Sequence, residues 1–251
     1  MRKHQLLPDT HFGGLSGRST SDAMHYLVNK IKSAWRRHKV VAILFLDIER
    51  AFPNAVTDRL SHNLRSRRIP EPYVMFISCM LTNRRTRLKF DGFTSEWMVV
   101  ENGIVQGNPL SMLLYLFYNA DLVASPNPGE VKLAYVDDAS YFAEGKNFDE
   151  VYSHLQNMMD RPQGGYEWSK AHNSRFEPSK MALMGFSRRR TKNPQRPGKT
   201  APEPRPDFQL GDATITPISA HKYLGVMLNQ ELRWREQIEH AVAKAAKWTL
   251  W

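Results

Sequence analysis

A chain of 251 residues with a hydrophobic fraction of 41% can bury one large core, which excludes a disordered tail. Its single cysteine, Cys79, excludes an internal disulfide framework and a cysteine-rich zinc site, and reads as a core thiol. The net charge of +10 favours a polyanionic partner such as nucleic acid, although solvated surface charge gives the same balance. No apolar run reaches membrane-spanning length and "MRKHQLLPDTHFGG" lacks the apolar core of a signal peptide, so an intracellular soluble protein with no membrane partner is expected.

Ser19, Thr20 or Ser21 can cap a helix in which Ala23, Leu27, Ile31 and Ala34 recur at helical spacing, ending in the basic cluster Arg36–Lys39. "VVAILFLDI" is a continuous apolar run, which predicts a buried strand with Asp47 at its C-terminal end. Short helices over Thr57–Arg68 and Glu71–Leu81 flank Pro70. "RRTRLKFDGFTSEWMVVENG" alternates about Asp91-Gly92 and predicts a hairpin. Pro109 then opens an apolar helix, "PLSMLLYLFYNADLVA".

"VKLAYV" and "ASYFAE" read as strands flanking Asp137 and Asp138, so these acids sit at a hairpin tip. A helix over Asn147–Asp160, a helical piece near Gly165–Ala171 and the strand "KMALMGF" follow. Residues 187–207 are rich in proline and basic side chains and nearly devoid of apolar ones, which predicts a mobile loop or linker. After it, "FQLGDATITPI" and "HKYLGVML" read as short strands, and "LRWREQIEHAVAKAAKW" as a final amphipathic helix running to Trp251.

Adjacent Asp137 and Asp138 admit two readings, an exposed turn or a metal site. Asp47 likewise either ends its strand or joins them. Three carboxylates sharing one small volume cannot all ionise without a cation. Magnesium, hard and oxygen-seeking, is the natural counter-charge, and two such ions can activate an attacking oxygen and stabilise a leaving pyrophosphate.

The stretches "FLDIERAF" (45–52), "GIVQGNPLS" (103–111), "YVDD" (135–138), "EPSKMALMGF" (177–186) and "KYLGVML" (222–228) occur in the order and contexts of reverse-transcriptase motifs A to E. The sequence most resembles the reverse transcriptases of non-LTR retrotransposons, particularly fungal elements. The resemblance implies an α/β (α+β) fold, a polymerase palm whose antiparallel sheet is backed by helices, with partial fingers and partial thumb. It divides the chain into fingers remnant and palm (1–186), a basic loop or linker (187–207), and a primer-grip-like hairpin with the start of a thumb (208–251). It also implies a truncated copy, because family members carry upstream endonuclease and further fingers segments and a longer thumb.

The activity implied is RNA-directed DNA polymerisation, with an RNA template, a DNA primer and deoxynucleoside triphosphates as partners, and with nuclear residence. Asp47, Asp137, Asp138 and the Ile48 carbonyl would hold two magnesium ions, manganese being a substitute. Phe52 would crowd the ribose 2′-hydroxyl, and Gln106 and Gly107 would meet the incoming nucleotide. Lys180 would protonate departing pyrophosphate. Tyr135, Val136, Tyr223, Leu224 and Gly225 would contact the primer, and Arg233 and Trp234 would begin the thumb. Arg84, Arg85, Arg87 and Lys89, with Arg188–Arg190, Lys192 and Arg196, would neutralise phosphates. A second function class stays open, an inactive relic that at most binds nucleic acid; a stand-alone enzyme of intron or telomerase type is a weaker third.

Overall fold

The computed structural model describes residues 6–193 and 196–249. In chain order it contains helix α1 (Thr20–Arg36), strand β1 (Val40–Leu46), helices α2 (Thr57–Ser66) and α3 (Glu71–Leu81), and strands β2 (Arg84–Thr86), β3 (Lys89–Phe90), β4 (Phe93–Thr94) and β5 (Met98–Val100). Helix α4 (Pro109–Asn119), strands β6 (Glu130–Tyr135) and β7 (Asp138–Gly145), helices α5 (Phe148–Asp160) and α6 (Gly165–Ala171), and strand β8 (Ala182–Phe186) follow. The remainder forms strands β9 (Arg190–Lys192), β10 (Thr200–Pro202), β11 (Phe208–Leu210), β12 (Ala213–Ile215), β13 (Ala220–Tyr223) and β14 (Val226–Asn229), and helix α7 (Arg235–Thr249). The predicted end of that helix at Trp251 lies outside the described residues.

The central sheet has the order β6-β7-β1-β8, every neighbour antiparallel, as the sequence predicts for a palm. All seven residues of β1 are buried. Val41, Ile43 and Phe45 face one side, where α1 and the β13–β14 hairpin cover them. Val40, Ala42, Leu44 and Leu46 face the other, where residues from α2, α4, α5 and α6 pack. Covering on both faces removes the polar alternation of a half-exposed strand, which explains the uninterrupted apolar run. Helices therefore back the sheet on both faces.

Ser19 accepts from the Asp22 amide while Asp22 accepts from the Ser19 amide, a capping box that starts α1 and presents Ala23, Leu27, Ile31 and Ala34 to the core. Asn147 and Asn108 cap α5 and α4 through their side chains. The Asp91-Gly92 turn joins β3 to β4, with β2–β5 pairing outside it. Three expectations change. Helix α2 stops at Ser66, two residues short of Arg68, which takes a positive φ of 60°. Cys79 is exposed, because α3 buries only the stripe Val74, Ile77 and Leu81. Residues 187–207 contain the β9–β10 hairpin and are tied to the body, with Arg205 Nε donating to the Gly185 carbonyl at 2.8 Å and Tyr152 donating to the Pro206 carbonyl at 2.9 Å; Pro194 and Gln195 lie outside the described residues. Backbone acceptors supply here what a hydrophobic core does not. No helix among the described residues is long and apolar enough to cross a membrane.

Two histidines are sealed in this body. His172 is 1% exposed, its Nδ1 3.0 Å from the Trp168 carbonyl and its Nε2 facing Asn63 at 3.1 Å and Arg59 at 3.3 Å. His11 is fully buried against Asn119. Burial, the largest cause in both, pushes each down to about 4. A histidine depressed in the folded state contributes stability above its unfolded value and loses it as pH falls toward the folded value. Each is therefore expected to remove about 2 kcal/mol of stability between pH 7 and pH 5. Denaturant unfolding at the two pH values checks this, and His172→Gln should flatten the pH slope by about half of the histidine contribution.

Candidate active site

The β6–β7 register pairs Tyr135 with Asp138, leaving Val136 and Asp137 as a two-residue turn. Val136 has a φ of 59°, a conformation that a β-branched residue adopts only when its surroundings enforce it. The β1–β7 register ends at Leu46↔Ala139, and carried one step further it runs Asp47 alongside Asp138. Asp137 and Asp138 are exposed and Asp47 is half-buried. Desolvation, then Asp137, then Asp47 push the Asp138 carboxyl up to about 6. A raised carboxylate favours folding at low pH and loses that contribution as pH rises through about 6, so the ionised cluster works against the fold near neutrality. Lys180 Nζ lies 3.7 Å from the Asp47 carboxylate, the nearest positive charge to it.

Ile48 bridges to Phe176, with the Glu49 amide donating to Arg175 and the Glu177 amide donating to Asp47. In that pattern the N–H and C=O of Ile48 itself point away from Phe176, toward the acidic turn. The donor set suits a hard cation: carboxylates whose mutual repulsion is uncompensated, beside a backbone carbonyl. Among the described residues, however, no group of three or more His, Cys, Asp or Glu side chains is arranged to hold a metal ion.

Phe52, half-buried, stacks on Tyr115 with ring centroids 4.7 Å apart. Tyr115 is fully buried, and burial first, then Asp137, raises its phenol well above the usual value. The aromatic pair thus links the segment after β1 to the acidic turn. The Phe52 carbonyl accepts from the Ile104 amide at 2.8 Å, and Ala55 accepts from Gly103 at 2.7 Å. A Cβ on Gly103 would lie 2.7 Å from the Pro53 carbonyl oxygen, and its φ is +95°, so only glycine fits. These bonds dock the loop bearing Gln106 and Gly107, both exposed, beside Phe52. Arg84 completes the anchor by donating to the carbonyls of Asn102 and Gly103 at 2.8 and 2.6 Å. Its guanidinium is engaged in structure, whereas Arg85, Arg87 and Lys89 are exposed, Arg87 lying 4.7 Å over the Trp97 ring.

Tyr135 and Val136 are half-buried at the end of β6. Tyr223 is buried against Phe45 at 4.8 Å, its hydroxyl 3.4 Å from Ser140, and Leu224 and Gly225 form the turn above it. Arg188 stacks on Trp35 at 4.5 Å and Arg189 donates to the His38 carbonyl at 2.6 Å, so part of the basic segment is committed to the body.

Three residues behind the turn escape sequence reasoning. Thr10 and Phe12 pair with Ala134 in parallel, covering the outer edge of β6, and bring in His11. His11 Nε2 lies 2.9 Å from Asn119 Oδ1, and Asn119 Nδ2 donates to the Val136 carbonyl. A Cβ on Gly13 would lie 2.5 Å from the Val136 nitrogen. The buried pair and the close glycine hold the strained turn. The available signal was the amide of Asn119 closing an otherwise apolar helix.

With this geometry in view, the comparisons with known proteins are coherent. Residues 1–228 match the family model described as reverse transcriptase (RNA-dependent DNA polymerase). The chain is 27% identical over 244 residues to the probable RNA-directed DNA polymerase from transposon X-element of Drosophila melanogaster, covering 95% of this chain and 25% of the relative. It is 26% identical over 240 residues to the RNA-directed DNA polymerase from mobile element jockey of Drosophila funebris, covering 93% and 24%. The chain thus spans about a quarter of the length of these relatives. In fold it is similar to apo telomerase from Candida tropicalis truncated from its C-terminal domain, with a TM-score of 0.56 at 11% identity, covering 90% of this chain and 40% of that one.

Removing Asn119 strands a buried imidazole and a backbone carbonyl together. Asn119→Ala and His11→Ala are each expected to cost about 1–3 kcal/mol, with the double variant falling short of their sum by about 0.5 kcal/mol or more. Chemical denaturation of the four proteins measures that coupling.

Proposed function

We propose, because this chain belongs to the reverse transcriptase (RNA-dependent DNA polymerase) family, that it extends a primer with deoxynucleotides along an RNA template. The observation that carries the reading is the acidic end of the sheet, where Asp137 and Asp47 lie near enough to raise Asp138 to about 6. In functional terms residues 1–186 act as fingers remnant and palm, 187–207 as a basic loop, and 208–251 as primer-grip-like hairpin and start of thumb.

Reverse transcriptases work with divalent metal ions, and Asp47, Asp137, Asp138 and the Ile48 carbonyl would hold two magnesium ions, with manganese able to replace them. When bound, the ions supply charge neutralisation and Lewis acidity toward the attacking and leaving oxygens. The chain's own residues do the rest. Phe52, braced from below by Tyr115, excludes the 2′-hydroxyl of a ribonucleotide by bulk. The loop held by Gly103 and Arg84 sets Gln106 and Gly107 against the incoming nucleotide, and orientation of this kind accounts for a large part of polymerase catalysis. Lys180, exposed and beside Asp47, delivers a proton to departing pyrophosphate. Tyr135, Val136 and the Leu224-Gly225 turn, seated on buried Tyr223, lie under the primer. Exposed Arg85, Arg87 and Lys89 meet template phosphates, a contact that positions without reading sequence.

Two variants test the reading on a primed RNA template with magnesium and deoxynucleotides. Asp137→Asn is expected to lower extension by about 10³-fold or more while nucleic-acid binding persists. Wild-type protein that binds the primed template but never extends it would favour the inactive relic instead. Phe52→Ala is expected to raise the use of ribonucleotides relative to deoxynucleotides by about tenfold or more, as measured by single-nucleotide incorporation, corresponding to about 1.4 kcal/mol of steric discrimination.

A further inference from the structure

Behind β6, the ends of α2 and α6 and the turn after α4 enclose an open cleft of about 520 Å³. None of Asp47, Phe52, Gln106, Asp137 or Asp138 lines it. Lys132 does, although its side chain is only 1% exposed. A lysine that deeply buried normally pairs with a carboxylate. Lys132 has no ion-pair or hydrogen-bond partner among the described residues, and its ammonium lies 5.3 Å over the Tyr141 ring. Trp168 lines the same cleft, and its buried indole N–H also finds no acceptor. Two buried donors therefore border one space with no protein acceptor for either.

The surrounding charges do not fill the gap. Arg161 is neutralised by Glu130 at 2.8 Å, and Asp121 by Arg67. Glu167 accepts from the Gln163 amide at 2.8 Å. Arg59, at the rim, has only a 3.3 Å contact to His172 Nε2 and no carboxylate partner among the described residues. Burial, then Arg161, push Lys132 down to about 8, which leaves the ammonium mostly charged at pH 7.

We propose that this cleft binds a phosphate-bearing small molecule, whose oxyanion is received by the Lys132 ammonium and the Trp168 indole N–H with Arg59 closing over it. A phosphate monoester offers several acceptor oxygens and a charge near −2, which matches two unpaired cations and an unpaired N–H. The volume accommodates a group of nucleotide size beyond the phosphate. The site is separate from the acidic end of the sheet and does not depend on polymerase activity.

Calorimetric titration of the full chain with inorganic phosphate and with a nucleoside monophosphate, at constant ionic strength, tests this, with Trp168 fluorescence as a second readout. Saturable binding is expected for at least one, weakened tenfold or more in Lys132→Met and several-fold in Arg59→Gln and Trp168→Phe. Lys132→Met keeps the side-chain length and removes a buried charge, so the fold should tolerate it; should it not fold, the other two variants decide. Tighter binding of the monophosphate identifies a nucleotide as the ligand, and equal binding identifies free phosphate. Absence of saturation with both, equal binding by the variants, or binding of an oligonucleotide alone overturns the proposal.

Discussion

The position of Asp47 relative to Asp137 and Asp138 is set by the pinning of β1 between β7 and β8 in an antiparallel register. Side chains on a strand alternate with period two, so a slip of one residue would exchange the faces of Ile43 and Leu44, both fully buried, and with them every neighbour. Truncating either of these to alanine is the kind of change that costs about 2–5 kcal/mol, and the whole strand is built of such residues. A register enforced over seven buried positions is in effect a ruler. It delivers the first residue beyond the apolar run, Asp47, to the place where the β6–β7 hairpin turns.

Placing like charges there has a cost that the rest of the body absorbs. The acids lie where burial ends, so solvent reaches Asp137 and Asp138 while Lys180 approaches Asp47. The turn between β6 and β7 needs a positive φ at a valine, and nothing in its own sequence favours that conformation. Its support comes from behind, through Asn119, His11 and Gly13. Phe52 is handled alike: its ring rests on Tyr115, and its carbonyl holds Ile104 and hence the loop after β5. In both places an exposed group is held by a buried partner from a distant part of the chain. That is how a working geometry is kept at a solvated edge.

The same contrast explains where sequence reasoning departs from the fold. Cys79 looks like core by residue type, but α3 meets the body along a narrow stripe and its other apolar residues, including Tyr73 and Phe76, stay exposed. Residues 187–207 look like free linker because they lack apolar content, yet arginine can anchor to carbonyls without a core, as Arg189 and Arg205 do. Arg84 reads as one more basic residue on a hairpin, and only the position of Gly103 shows that it clamps a loop. Composition reports the kind of side chain and not which of its possible partners comes within reach.

What the sequence by itself determined is local. The buried run of β1, the capped start of α1, the proline that opens α4, the turn at Asp91-Gly92 and the hairpin carrying two acids follow from periodicity, capping and turn chemistry, which act over a few residues. Motif order carried the family resemblance and named the candidate site residues. Only the tertiary structure decided which groups meet: Asp47 with Lys180, Phe52 with Tyr115, Val136 with Asn119, and Lys132 left without a partner at the edge of a cleft. Those pairings depend on sheet register and helix packing between segments far apart in the chain, and short-range rules carry no information about them.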